Sequence, residues 1–458
     1  MKTKLTSLFL LVPAMLFCSG RLHAQAQVIN PFAGNGFGAS SAIGGYSGDG
    51  GKAYLAELNA VTGVTFDGAG NVYIADMGNN VIRKVDGSGY ISTFAGKDSV
   101  GYSGDGGPAV NAQFNRPHGI ATDVWGNVYV SDYNNNVIRM INTAGTISTF
   151  AGNGAAGSGG DGSAATSARL NGPEGIAFDN AGNLYIADAN NNAIRVVYTD
   201  GTIGTVAGTG ATGHTGDGGP AVYATFFHPT AVAVDLYGNL YIADYLNNAV
   251  RKVDTSGMIS NFAGTGVAGY SGNGGAASAA SLHYPAGVSI YGFGDVYIAD
   301  QGNNVIRKVN TSGMISTYAG TSTNGYLGDG DLAVNAELSA PKGVSVDGFG
   351  RLYIADYNNN VVRIVTANTG VNPLGNNTGK LNVYPNPSSG LFTVVLPATS
   401  GDASLTVSNM LGQVVESRKI PSTLSREQHV DLTRFPAGNY VISVCSGADN
   451  YHEQVATW

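Results

Sequence analysis

The chain has 458 residues and a formal net charge of −8, with 23 Lys and Arg against 31 Asp and Glu. That balance repels phosphate backbones, and no Lys/Arg cluster supplies the basic patch a nucleic-acid partner requires, so no nucleic acid is expected as a ligand. Gly accounts for 68 residues, about twice its usual ~7% share, and these glycines recur in register.

The first element is a leader. MKTKLTSLFLLVPAMLFCSGRLHAQA places Lys2 and Lys4 ahead of an apolar run from Leu5 to Phe17, then Ala24 and Ala26 in an A-x-A arrangement. This is the pattern of a secretory signal peptide over residues 1–26. The run is too short for a membrane-spanning helix, which needs about 20 apolar residues, and no transmembrane segment is expected elsewhere. Losing Lys2, Lys4 and Arg21 with no acid would move the charge from −8 to −11. Only Cys445 lies beyond the leader, which leaves no pair for an intrachain disulfide.

From Gln27 to Thr366 the chain repeats itself. GNVYIADMGNNVIRKV, Gly70 to Val85, returns as GNVYVSDYNNNVIRMI and in four further copies. Its Asp stands at 76, 132, 188, 244, 300 and 356 and its Arg at 83, 139, 195, 251, 307 and 363, a constant step of 56 residues. A fixed period of this size signals an array, solenoid or propeller. Each unit reads as four short strands, as in PHGIATD, NVYVSD, VIRMI and ISTFAG, separated by the turn signals D-x-x-G-N, Asp-to-Asn-Asn and T-x-G. Strands such as VYIA are apolar on both faces, which suits sheets packed on neighbours at either side. The sixth unit lacks an ISTFAG strand, while VINPFAG, Val28 to Gly34, stands alone at the front. The expected fold is therefore all-β: a six-bladed propeller whose N-terminal strand closes the last blade and removes the exposed edges.

The units resemble NHL repeats, whose P-x-G-V/I, G-N-L-Y-I-A-D and N-x-V/I-R-K/R-V segments are matched at all six copies. The first unit lacks the Pro (LNAVTGV), the fourth has Ala231 for the Gly, and the fifth has Tyr291 for the Asp ending the first strand. The resemblance implies a six-bladed propeller, in agreement with the count of units.

Residues 367–379 read as a Gly/Asn linker, and 380–458 as a small antiparallel β-sandwich without the 56-residue unit. YPNPSSG, SNMLGQVV and FPAGNYVISV resemble the type A C-terminal sorting domain of the type IX bacterial secretion system, although the final EQVATW departs from the usual basic, valine-rich ending. That resemblance implies export to the medium or the outer surface of a Gram-negative-type bacterium, with the secretion machinery as a partner of 380–458.

Residues present in every unit serve what every blade shares, whereas a ligand site needs positions that differ. The recurrent Asp and Arg are therefore read as structural, the Asp as an Asx-turn acceptor and the Arg as a partner for carboxylates or carbonyls. The long loops between units, about 20 residues each, are expected to share one face with the Asp-Asn-Asn turns. At the acid position of their SGDGG motifs stand Asp49, Asp105, Asp161, Asp217, Asn273 and Asp329, and Gly-Asp-Gly followed by P-A-x-x-A reads as a turn opening a short helix with Pro at its first position.

The residue before the recurrent Gly varies in kind: Thr62, His118, Glu174, Thr230, Ala286, Lys342. Together with His228 and His283 close by, these are expected to ring the mouth of the central channel. The residue after the recurrent Asp gives Tyr133, Tyr245 and Tyr357 in alternate units, flat faces suited to a sugar or peptide. The expected function is a secreted or surface binding module for glycan, peptide or protein on the long-loop face. The alternative is a propeller enzyme, a metal-dependent lactonase or hydrolase or a lyase, at the channel. No cofactor is expected; Ca²⁺ or Zn²⁺ would fall to His118, Glu174, Asp105 and Asp217, although one carboxylate per loop is far from a Ca²⁺ shell.

Overall fold

The computed structural model describes residues 27–39, 44–292, 294–367, 381–384, 388–396, 403–409, 414–421, 426–435, 438–446 and 449–457. The leader and the linker lie outside these. Contacts divide the chain into two units, 1–368 and 369–458.

The first unit is a ring of six four-stranded antiparallel sheets. Blades 1 to 5 run Val61–Ala95, Pro117–Ala151, Pro173–Ala207, Pro229–Ala263 and Pro285–Ala319. Blade 6 takes three strands from Pro341–Ala367 and its outermost strand from Gln27–Ala33. Gln27 pairs with Ala367 and Asn30 with Ile364, so the two ends of the ring are hydrogen-bonded into one sheet. Pro31 is tolerated because its strand is an edge. The aromatic of this strand does what its counterparts do elsewhere. Phe32 meets Tyr353 edge-on at 5.0 Å, as Phe94 meets Tyr73 at 4.8 Å and Phe150 meets Tyr129 at 4.9 Å.

Burial of both strand faces follows from blade-on-blade packing. Tyr73, Ala75 and Ile82 of blade 1 share an apolar cluster with Ile120, Val128 and Val130 of blade 2, and the pattern repeats around the ring. At the hub the innermost strands come so close that the recurrent Gly has a steric cause. A Cβ on Gly119 would lie 2.2 Å from Glu174 O, and one on Gly343 would lie 2.4 Å from Thr62 O.

The segments after SGDGG form three-residue 3₁₀ turns such as Ala109–Asn111 rather than α-helix. Pro108 sits before the turn in an extended conformation, not at its first position, because a single turn leaves no helical position for it.

The second unit has a three-stranded and a four-stranded antiparallel sheet. Both contribute to one core that includes Phe392, Val394, Leu405, Ile442 and Val444, the expected sandwich.

Ile29 is fully buried in the closing strand. Ile29→Ala should therefore cost about 2–5 kcal/mol, read as a lower midpoint in thermal or denaturant unfolding. A propeller that melts unchanged would mean the strand does not close the ring.

Candidate functional site

The recurrent Asp and Arg are consumed by the blades. All six arginines are fully buried, and a buried charge must be paired and hydrogen-bonded. Arg139 meets Asp132 at 3.6 Å and the loop acid Asp105 at 2.6 Å, and donates to Ser103 O and Gln113 O at 3.1 and 3.3 Å. One guanidinium thus ties the second strand to the long loop. Asp217 is held in the same way by Arg251 at 2.7 Å. Asp105 and Asp217 accordingly belong to the outer loops and do not join His118 and Glu174. The loop tyrosines Tyr46, Tyr102, Tyr270 and Tyr326 cover the guanidiniums at 5.1 to 5.4 Å, which gives them a packing role.

The recurrent Asp differs from an Asx-turn. Asp132 makes no side-chain bond to the turn backbone that follows it. Its Oδ1 accepts the Asn115 N–H, 17 residues earlier, at 2.7 Å, and its Oδ2 accepts Asn135 Nδ2 at 2.8 Å. Asx geometry appears instead in the D-x-x-G-N hairpin, where Asp123 Oδ1 accepts the N–H groups of Trp125 and Asn127. Burial pushes the recurrent aspartates up, to about 7 for Asp76 and Asp356 and to about 6 for Asp132, Asp188, Asp244 and Asp300, against the pull of their asparagine, backbone and arginine partners.

The second Asn of each turn joins neighbouring blades. Asn80 Oδ1 accepts the Arg116 N–H at 3.0 Å, Asn192 that of His228 at 2.9 Å, and Asn248 that of Tyr284 at 3.0 Å. Asn360 accepts from Ala60 at 2.8 Å and completes the circle. The acceptor residues' partners, Ala60, Arg116, Gly172, His228, Tyr284 and Ala340, all have φ between 50° and 59°. That left-handed backbone costs a non-glycine residue about 1–2 kcal/mol.

All six varied residues before the Gly position line one cavity at the channel mouth, of about 200 Å³. His228, Tyr245 and Gln301 line it as well. Glu174 is at the centre of the charge arrangement. Its Oε2 lies 3.5 Å from His118 Nδ1 and its Oε1 3.1 Å from His228 Nε2. Burial works to raise the Glu174 carboxyl, but the two imidazoles and Lys342 hold it well below the usual carboxylate range. Burial lowers His118, with Glu174 only partly offsetting it. The hydroxyls of Thr62 and Thr230 bond backbone carbonyls of the next blade and so seal seams between blades.

The tyrosines do not form a separate platform. Tyr133 stacks on His118 at 4.9 Å, Tyr357 lies under Lys342 at 4.6 Å, and Tyr245 stacks on Tyr284 at 4.9 Å. The two expected sites meet: Tyr133 and Tyr357 back the His118 and Lys342 of their own blades, and Tyr245 lines the cavity itself while stacking on Tyr284 of the next blade. His283 is outside the mouth: its N–H bonds Asp300, and its ring packs on Tyr284. Arg116 and Tyr284 were not foreseen, and Gln301 stands in the column after the recurrent Asp, from which only the tyrosines were chosen. The signal was present, since the column Ala60, Arg116, Gly172, His228, Tyr284, Ala340 is as varied as the one chosen.

The fold and this hub define a six-bladed propeller of NHL type on a chain with a sorting domain. A family model described as the teneurin NHL domain matches residues 22–103, 99–159, 154–214 and 266–326, more than half of the chain, and the chain belongs to that NHL-repeat family. Residues 382–456 match the secretion system C-terminal sorting domain, which places the protein outside the cell or on its outer surface. Mouse teneurin-3 is 31% identical over 398 residues, 76% of this chain and 14% of its own length. Suppressor of Quenching 1 of Arabidopsis thaliana, a chloroplastic protein, is 29% identical over 289 residues, 59% of this chain and 27% of its own. The chain thus spans a small part of these curated relatives. An auxiliary nutrient binding protein from Bacteroides ovatus superposes with a TM-score of 0.54 at 16% identity, over 75% of this chain and 77% of that one. A Bacteroides thetaiotaomicron protein of unknown function gives 0.54 at 17%, over 74% and 76%. These likenesses show the fold.

Three outcomes follow for stability. Arg139→Ala strands Asp132 and releases the loop, an expected loss of about 3–5 kcal/mol in chemical denaturation. Arg116 is exposed, and Arg116→Gly should raise stability by a few tenths to about 1 kcal/mol by relieving the left-handed backbone; no gain in melting would remove the strain argument. Asp132 has a folded pKa raised from 3.8 to about 6, so its contribution is full below 3.8 and lost as pH rises through 6. Asp132→Asn, which never ionises, should therefore compare better with the parent at pH 8 than at pH 5 in paired melts.

Proposed function

We propose that this protein is an exported, non-catalytic binding module whose ligand site is the mouth of the propeller channel on the long-loop face. The observation that carries the reading is the division of labour among side chains. Residues common to all units are occupied in holding the blades, while the six varied residues converge on one cavity. Half-buried aromatic surface beside fixed polar groups suits a glycan or a peptide.

One observation favours an enzyme as the second reading. His228 Nε2 lies 3.1 Å from Glu174 Oε1, an imidazole oriented by a carboxylate as a general base requires.

The test uses the purified mature chain on glycan and peptide arrays, beside Glu174→Gln, Lys342→Met and Trp125→Ala. Trp125 is exposed in a hairpin at the opposite end of the strands from the mouth. Binding lost in the first two variants and kept in the third is expected. The reverse pattern would move the site to the other face. Turnover of a bound ligand that disappears in His228→Ala, or one tightly held metal ion per chain lost in Glu174→Gln, would replace the binding module by the enzyme.

A further inference from the structure

We propose that the channel mouth takes a uronic acid residue of an acidic glycan, its carboxylate on Lys342 and its hydroxyls on Gln301 and Glu174. The inference rests on the mouth being the ligand site and names the ligand's chemistry.

Lys342 is the first reason. Its Nζ lies over the Tyr357 ring at 4.6 Å, and among the described residues no carboxylate comes within 4.0 Å of it. The nearest anionic influence is Glu174, which only partly offsets the burial that lowers this ammonium, and Arg116 lowers it further. A half-buried cation without a counter-ion is costly. Arg116, on the same rim, also lacks an ion pair among the described residues and is held there by a left-handed backbone. On a chain of net charge −8, a half-buried Lys342 without a counter-ion in the cavity wall, with the exposed Arg116 nearby, marks a place for an anion.

Gln301 is the second reason and is independent of charge. It lines the cavity from blade 5, and its Oε1 is buried without a hydrogen-bond partner. Such an atom costs free energy until a donor reaches it. If the amide is turned over, the orphan becomes a donor and the need for a ligand partner remains.

The two needs are met by one small molecule. The cation is on blade 6, while the ionised Glu174 is on blade 3, across the ring. A ligand bridging them carries an anion at one end and hydrogen-bond donors at the other. A uronic acid has a carboxylate and several hydroxyls on a single ring, and about 200 Å³ holds one such ring, with Tyr245 as an apolar wall. An aspartate or glutamate side chain brings the carboxylate without the hydroxyl donor that the unpartnered Gln301 Oε1 calls for.

The experiment is calorimetric titration of the mature chain with galacturonate and glucuronate oligomers, their methyl esters, the neutral galactose and glucose oligomers, and a polyglutamate peptide. The acidic sugars are expected to bind, with Lys342→Met weakening them about tenfold or more and Lys342→Arg restoring part of the loss. Gln301→Leu should weaken acidic sugars without lowering the melting temperature, since it removes an unpartnered buried polar atom. Equal binding of esters or neutral sugars at the mouth would overturn the anion while sparing the site. Binding of polyglutamate alone, with the same Lys342 dependence, would overturn the sugar. Acidic sugars bound equally by parent and Lys342→Met would overturn the assignment of the carboxylate. If no probe binds the parent, the inference is overturned, and the array binding of Glu174→Gln against Trp125→Ala decides separately whether the mouth is the site.

Discussion

The propeller depends on six guanidinium groups that see no water. Removing an arginine from solvent costs several kcal/mol unless its charge and donors are satisfied. Each blade offsets most of this cost at the two terminal nitrogens, with its own Asp, an acceptor from the long loop and loop carbonyls, as Arg83 does with Asp76, Asp49, Ser47 O and Glu57 O; among the six, Nε is bonded only in Arg251, to Asp217. The loop is drawn onto the blade because the arginine needs it. None of the three positions can drift along the chain without stranding the others, which accounts for a period that stays at 56 through six units. Blade 5 shows what the loop must supply. There Asn273 Oδ1 accepts from Arg307 at 3.0 Å, and Asp300 is the only carboxylate paired with it among the described residues. An acceptor is required, and a second negative charge is not.

Within this frame the tandem asparagines divide two tasks. The first locks the Asp to the long loop, as Asn135 does between Asp132 and Gly101 O. The second passes a hydrogen bond to the next blade and fixes a left-handed residue at the rim. The bond goes from a side chain to a backbone N–H, so the side chain on the receiving residue is unconstrained by it. The structure thereby creates a rim position that is conformationally demanding and chemically free. The residue before the hub Gly is similar: its backbone is clamped between innermost strands while its side chain faces the channel.

The sequence disclosed the blade count, the closing strand and the two-unit organisation because these rest on period, alternation and a missing copy, all one-dimensional signals. The adjacency of His118 and Glu174 was also legible, since equivalent positions in successive blades must be neighbours. Other features were not. The partner of the recurrent Asp lies 17 residues upstream, not in the turn whose sequence suggested it. Tyr133 and Tyr357 read as exposed stacking faces until their rings were placed against His118 and Lys342. The role of Arg116 and Tyr284 required knowing that their column is left-handed, which Gly172 hints at and nothing in Arg or Tyr announces.

Nearly identical units are poorly suited to building an asymmetric site, and the hub shows how the difficulty is resolved. Symmetry is needed only where blades touch, and those contacts run through backbone, aliphatic side chains and the Asp, Asn and Arg set. Three columns escape it: the residue before the hub Gly, the left-handed rim residue and the residue after the recurrent Asp. With six blades, each column offers six independent choices around a circle, so groups three blades apart face each other across the opening. Glu174 and Lys342 stand in that relation, with Glu174 kept ionised by neighbouring imidazoles and Lys342 left without a carboxylate beside it. A dipole of this kind cannot arise within one blade, where the same two groups would pair and cancel. Separation by the ring keeps both available to whatever enters between them.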